Sequence, residues 1–114
     1  MTDAESQAEL FRVLAHETRL RLLTLLSTGE HAVGELEAAS GVGQPGLSQQ
    51  LAILRKAGLV TTRRAAKQVY YRLKPAALAP VSGFLSQLAG SVPPAAQAAP
   101  ISRTGSAARF ARII

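Results

Sequence analysis

The sequence contains no cysteine. That excludes disulfides, zinc–thiolate centres, cysteine nucleophiles and thiol switches within the chain. It has only two histidines, His16 and His31, and neither has a paired ligand spacing. No metal and no cofactor are therefore expected. No apolar run approaches the roughly 18 residues that span a bilayer. The first residues, Met1-Thr2-Asp3-Ala4-Glu5, are acidic where a secretory signal is basic. The expectation is a cytoplasmic protein with no membrane partner. Glycine-rich phosphate loops, serine-centred elbows and two-histidine helical motifs are missing too. The one adjacent acid–base pair, His16-Glu17, sits at a helix start, so no enzyme is expected.

Acid is also missing from most of the chain. All seven acidic residues precede position 38, where three arginines offset them to leave a net charge of −4. The remaining residues hold ten basic groups and no acid. Seven of the ten cluster as Arg55, Lys56, Arg63, Arg64, Lys67, Arg72 and Lys74, an electrostatic footprint for a polyanion. With 114 residues and 47% hydrophobic content, one globular core is expected.

Apolar spacing predicts helices over residues 4–15 (Ala8, Phe11, Leu14 and Ala15 inward) and from Thr18 to Ser27, where five leucines leave little polar face. Glu17 falls in the first turn of the second helix, and Gly29 ends it. A short helix follows at Val33–Ser40, with Val33, Leu36 and Ala39 inward. Gly41-Val42-Gly43 breaks it, with Val42 plugging the gap. Another helix runs from Gln44 or Pro45 to Ala57 on Leu47, Leu51 and Leu54, and Gly58 closes it. Leu59–Arg64 and Gln68–Leu73 read as a β-hairpin with the tip Ala65-Ala66-Lys67, which lacks the usual turn glycine. Tyr70 and Tyr71 face opposite sides of its second strand. Leu78, Val81, Leu85 and Leu88 form one stripe of a last helix that starts late or kinks near Pro80. Such a stripe on a thin domain needs a partner surface. The expected domain spans residues 1–90, and residues 91–114 are expected to be a flexible basic tail.

Two helices around a glycine turn form a helix-turn-helix, whose second helix fits the DNA major groove. Opposite Leu47, Leu51 and Leu54 lie Pro45, Gln49 and Lys56, with Ser48 at the flank and Gln44 at the start. Gln44, Ser48 and Gln49 are the expected base readers, because glutamine pairs with adenine and serine donates or accepts. Lys56, Arg63, Arg64, Lys67 and Gln68 are the expected phosphate contacts, which supply affinity and register.

Three stretches carry a resemblance: Phe11-Arg12-Val13-Leu14-Ala15-His16-Glu17-Thr18-Arg19-Leu20-Arg21-Leu22-Leu23, Ser48-Gln49-Gln50-Leu51-Ala52-Ile53-Leu54-Arg55-Lys56-Ala57-Gly58-Leu59-Val60 and Val69-Tyr70-Tyr71-Arg72-Leu73. Together they resemble the ArsR-type (ArsR/SmtB) bacterial winged-helix repressors over roughly residues 5–90. The segment from Val33 to Leu51 is most similar to the branch that senses sulfide or persulfide with two cysteines. The resemblance implies a mainly α fold with a β-hairpin, ordered ααααββα. It implies a homodimer through the first and last helices, with Phe11, Leu78, Val81, Leu85 and Leu88 at the interface. It also implies repression at an imperfect promoter palindrome, released by a small inducer, with the protein on the bacterial nucleoid when bound. The absent cysteines remove the dithiol chemistry. His31 falls near the expected first cysteine and Gly90 near the second. The family's Asp and His metal ligands are absent from the last helix. Glu17 stands where the family often has proline, and Ala65-Ala66 replaces its usual acidic-Gly tip. The other reading is a winged-helix interaction module that needs a second protein for sensing or DNA binding.

Overall fold

A computed structural model describes residues 3–90, so the expected C-terminal tail lies outside the described residues. In chain order the elements are α1 (Asp3–Leu14), α2 (Glu17–Leu26), β1 (His31–Ala32), α3 (Val33–Ser40), α4 (Gly46–Lys56), β2 (Val60–Ala65), β3 (Gln68–Leu73), a 3-10 turn (Pro75–Leu78) and α5 (Ala79–Ala89). The chain divides within α5. Residues through Phe84 form one compact unit, and Leu85 opens a second, of which residues 85–90 are described.

The first unit is built on leucine. Leu22 and Leu26 of α2, Leu36 of α3, Leu47, Leu51 and Leu54 of α4, and Leu59 are at most 2% exposed and form one cluster. Burying a leucine side chain contributes about 1.5–3 kcal/mol, so this cluster dominates the packing of α2, α3 and α4. Leu10, Val13 and Leu14 of α1 pack on its edge, as do Tyr71 and Leu73 of β3.

The expected element order is present, with two additions, the 3-10 turn before α5 and a short strand before α3. His31 and Ala32 pair with Tyr71 and Tyr70, so the sheet has three antiparallel strands in the order β1-β3-β2. A two-residue strand is too short to show alternation, so no sequence pattern marks it. The α3–α4 turn is closed locally. Gly41 takes φ +75°, a left-handed conformation that suits glycine, and its amide donates to the Glu37 carbonyl. Ser40, and not the expected Ala39, is the buried residue at the end of α3. Its Oγ accepts from the Val42 amide at 3.1 Å, and Arg21 donates to its carbonyl. Val42 packs against the leucine cluster. At the far end of α4, Gly58 (φ +80°) donates to Arg55 and Leu59 donates to Leu54. This is the two-bond glycine cap that reverses a helix, with its two apolar flanks, Leu54 and Leu59, in the core.

Other expectations are corrected in detail. Leu20 is 49% exposed, so α2 has an open side. Ala15 is exposed just beyond the end of α1. Leu78 belongs to the 3-10 turn, so the stripe Leu78, Val81, Leu85 and Leu88 does not run along a single helix. The late start expected near Pro80 is present: α5 begins at Ala79, and Pro80, lacking an amide hydrogen, occupies its first turn, where no hydrogen bond is lost. Leu78 packs on the leucine cluster, Val81 is 6% exposed, and Phe11 meets Phe84 edge-to-face at 5.8 Å. Those three expected interface residues are thus engaged within their own chain. Leu85 and Leu88 stay 49% and 71% exposed.

The hairpin closes more tightly than expected, because Ala65 pairs with Gln68 and leaves only Ala66 and Lys67 in the turn. Ala66 takes φ +55°. An L-residue with a Cβ is strained there by roughly 1–2 kcal/mol, and glycine is not. Ala66→Gly is therefore expected to raise unfolding stability by about 1 kcal/mol, read as a higher denaturant midpoint at unchanged slope.

Candidate nucleic-acid interface

In the first turn of α4 the Leu47 and Gln49 amides donate to the Gly43 and Pro45 carbonyls, and the side chain of Gln44 takes the Ser48 amide between them. Its Oε1 accepts from the Ser48 amide at 3.1 Å and from the Ser48 hydroxyl at 2.6 Å. Two of the three expected base readers are thus held together by each other. Both residues are exposed. Gln49 and Lys56 are exposed on the helix face opposite Leu47, Leu51 and Leu54. Gln50, one position on, is turned away. Its Oε1 accepts from Arg19 Nη1 at 3.1 Å, while Arg19 Nε donates to the Val13 carbonyl at 2.7 Å. Ile53, also on α4, is 38% exposed.

The basic hairpin follows directly from α4. Arg64, Lys67 and Gln68 sit around its tip and are exposed, and neither Arg64 nor Lys67 forms an ion pair with a described residue. Arg63 differs. Its Nε and Nη2 donate to both oxygens of Glu30 at 2.7 and 2.6 Å, and its guanidinium lies 4.6 Å from the centre of the Tyr70 ring. The strand register explains the meeting. Arg63 pairs with Tyr70 across the hairpin, and Glu30 immediately precedes the residue paired with Tyr71. The pair therefore reaches across β3 on one face of the sheet, from beside β1 to β2. The hydrogen bonds from Arg63 hold the Glu30 carboxyl below its ordinary value. Desolvation opposes them, and the charges of Arg63 and Arg72 reinforce them. In the sequence Glu30 is only one acid among seven. Its partner lies 33 residues away, and only the register of a two-residue strand brings them together.

Elsewhere the polar inventory offers little chemistry. His31 Nδ1 lies 2.8 Å from the Gly29 carbonyl, and His16 Nδ1 is buried with no hydrogen-bond partner among the described residues. Among the described residues, no group of three or more His, Cys, Asp or Glu is placed to hold a metal. No described helix is long and apolar enough to cross a membrane.

A helix-turn-helix followed by a two-stranded basic ribbon, with a short strand completing the sheet, defines a winged helix-turn-helix protein. Residues 16–62 match the family described as "Bacterial regulatory protein, arsR family". The biofilm growth-associated repressor of Xylella fastidiosa (strain 9a5c) is 53% identical over 70 residues, 61% of this chain and 61% of that protein. Nodulation protein NolR of Rhizobium meliloti is 38% identical over 101 residues, 89% of this chain and 83% of that one. The crystal structure of the transcriptional repressor BigR from Xylella fastidiosa superposes with a TM-score of 0.63 at 47% identity, covering 75% of this chain and 84% of that chain. The chain belongs to the ArsR family of bacterial regulatory proteins, a family of regulators and not of enzymes.

The Glu30–Arg63 pair has a defined pH response. A carboxyl held below its ordinary value in the folded state stabilises fully above the ordinary carboxylate range. That contribution is lost as pH falls through the lowered value. Arg63 and Arg72 are the charged groups acting on the carboxyl, and Tyr70 lies against the Arg63 guanidinium. The melting temperature of the wild-type chain is expected to exceed that of Glu30→Gln slightly at neutral pH. The gap should close in acid, as thermal scans across pH would read; the exposed setting keeps it small.

Proposed function

We propose that the chain is a homodimeric, sequence-specific repressor that binds double-stranded DNA at an imperfect promoter palindrome in the bacterial cytoplasm, on the nucleoid when bound. The observation that carries this reading is the outward side of α4, which is short, polar and free of acid, set beside a basic ribbon with unpaired cations. One helix fills the major groove, with its first turns nearest the base edges. Gln44, Ser48 and Gln49 are proposed to read bases there. Lys56, Arg64, Lys67 and Gln68 are proposed to hold phosphates. Arg63, whose fork is occupied by Glu30, is not assigned to that set. The names of the relatives, repressors among them, support the regulatory sign. The releasing signal on this reading is neither a thiol reaction nor a metal, since the chain lacks cysteine and the expected ligands.

Two-fold pairing is proposed to use Leu85 and Leu88, the large apolar side chains left open on α5. A dimer then places two recognition helices about one helical turn of DNA apart. Leu88→Glu is expected to shift the chain from dimer to monomer in sedimentation equilibrium and to weaken binding to a two-half-site duplex.

Fluorescence anisotropy with the DNA upstream of the chain's own gene, against unrelated DNA of equal length, tests the reading. A preference of roughly a thousandfold or more is expected. Arg64→Ala with Lys67→Ala should weaken binding to both duplexes alike and flatten the salt dependence by about 0.9 in log–log slope for each phosphate no longer held. Gln49→Ala should instead cost discrimination at one base pair, about 1–3 kcal/mol. Equal, weak binding to both duplexes by a monomeric chain would favour the interaction module that needs a second protein.

A further inference from the structure

We propose that Glu30 is a positioning residue that withholds Arg63 from the DNA backbone, so that the ribbon grips phosphate with Arg64, Lys67 and Gln68 and without Arg63. The proposal rests on the DNA-binding reading above and deepens it. Both oxygens of the Glu30 carboxylate are engaged by Arg63, at 2.7 and 2.6 Å, in the bidentate geometry that makes a guanidinium–carboxylate pair strong and directional. Glu30 is the less open of the two, its side chain 26% exposed against 56% for Arg63. The Tyr70 ring under the guanidinium, 4.6 Å away, supplies a second attraction to the same position. A phosphate competing for Arg63 would therefore have to displace a carboxylate in the same chain, already aligned and at high effective concentration.

The pair also ties parts of the chain that are otherwise joined weakly. It reaches from the residue before β1 to β2, across β3, while β1 itself pairs with β3 at only two positions. Arg64 is the next residue along β2 and faces the other side of the sheet. Two adjacent arginines are thus given different work: one braces the sheet and the other stays free for the ligand. Phosphate contacts act on every sequence alike. Holding back one cation lowers indiscriminate binding and leaves the base-reading helix untouched, and specificity is a difference between affinities.

The test uses a fluorescein-labelled random-sequence duplex and the full-length chain, with anisotropy measured across a salt series. Arg63→Gln is expected to leave the log–log salt slope of the wild-type chain unchanged. Glu30→Gln should free the guanidinium and steepen the slope by about 0.9, the value for one added phosphate partner. The double variant should return to the wild-type slope. A flatter slope in Arg63→Gln means that Arg63 already sits on phosphate and overturns the proposal. An unchanged slope in Glu30→Gln overturns it as well. Circular dichroism checks each fold, and if Glu30→Gln does not fold, Arg63→Gln alone decides. No salt-dependent binding by the wild-type chain to this or the upstream duplex would overturn the DNA-binding reading and this proposal with it. Wild-type binding with slopes that depart from the expected pattern overturns only this one.

Discussion

What α4 presents outward is decided by the three leucines on its opposite side. Leu47, Leu51 and Leu54 are buried almost completely, and they lock the helix against α2 and α3 through the single leucine cluster of the fold. Because side chains on a helix hold fixed angular relations, burying those three leaves Gln49 and Lys56 on the open side. A charged or small residue at any of the three would loosen the packing and the orientation together. The caps act on the same helix. Gln44 closes its start and Gly58 reverses its end, so the hairpin leaves α4 in a set direction.

The ribbon is held differently. It has little core of its own, and only Val60 at its base is buried within it. Its order comes from cross-strand pairing, a strained two-residue turn and the Glu30–Arg63 pair on its open side. Isolated surface ion pairs usually contribute little, but a bidentate pair stacked on an aromatic ring is a better-ordered case. The sheet is thus stabilised on one side by Tyr71 and Leu73 against the leucine cluster and on the other by charge.

Much of this is legible in the residues. Leucines at helical spacing place α2 and α4, and glycines mark their ends to within two or three residues. The helix-turn-helix and the hairpin follow from that punctuation. What the sequence hides are relations between distant positions. The strand His31–Ala32 exists only because β3 lies beside it, and the Glu30–Arg63 pair exists only because of that strand. The capping of α4 by Gln44 is hidden for another reason, since glutamine is not a usual cap and its side chain reaches forward a full turn. The leucine stripe of the last helix looks continuous because periodicity does not separate a 3-10 turn from the α-helix that follows it. Phe11, Leu78 and Val81 take part in the chain's own packing, and composition does not distinguish that role from a meeting with a second copy.

Arg19 leaves α2 carrying two hydrogen bonds, one to the Val13 carbonyl in the last turn of α1 and one to Gln50 on α4. Gln50 sits on the flank of α4, where a lateral restraint acts with the greatest lever arm about the helix axis. The leucines resist translation of the helix, but a smooth apolar seat offers less resistance to rolling. Arg19 supplies a rotational stop, set from α2. The angular setting of the polar face is therefore referred to the end of α1, and any displacement of that end is felt as torque on the helix.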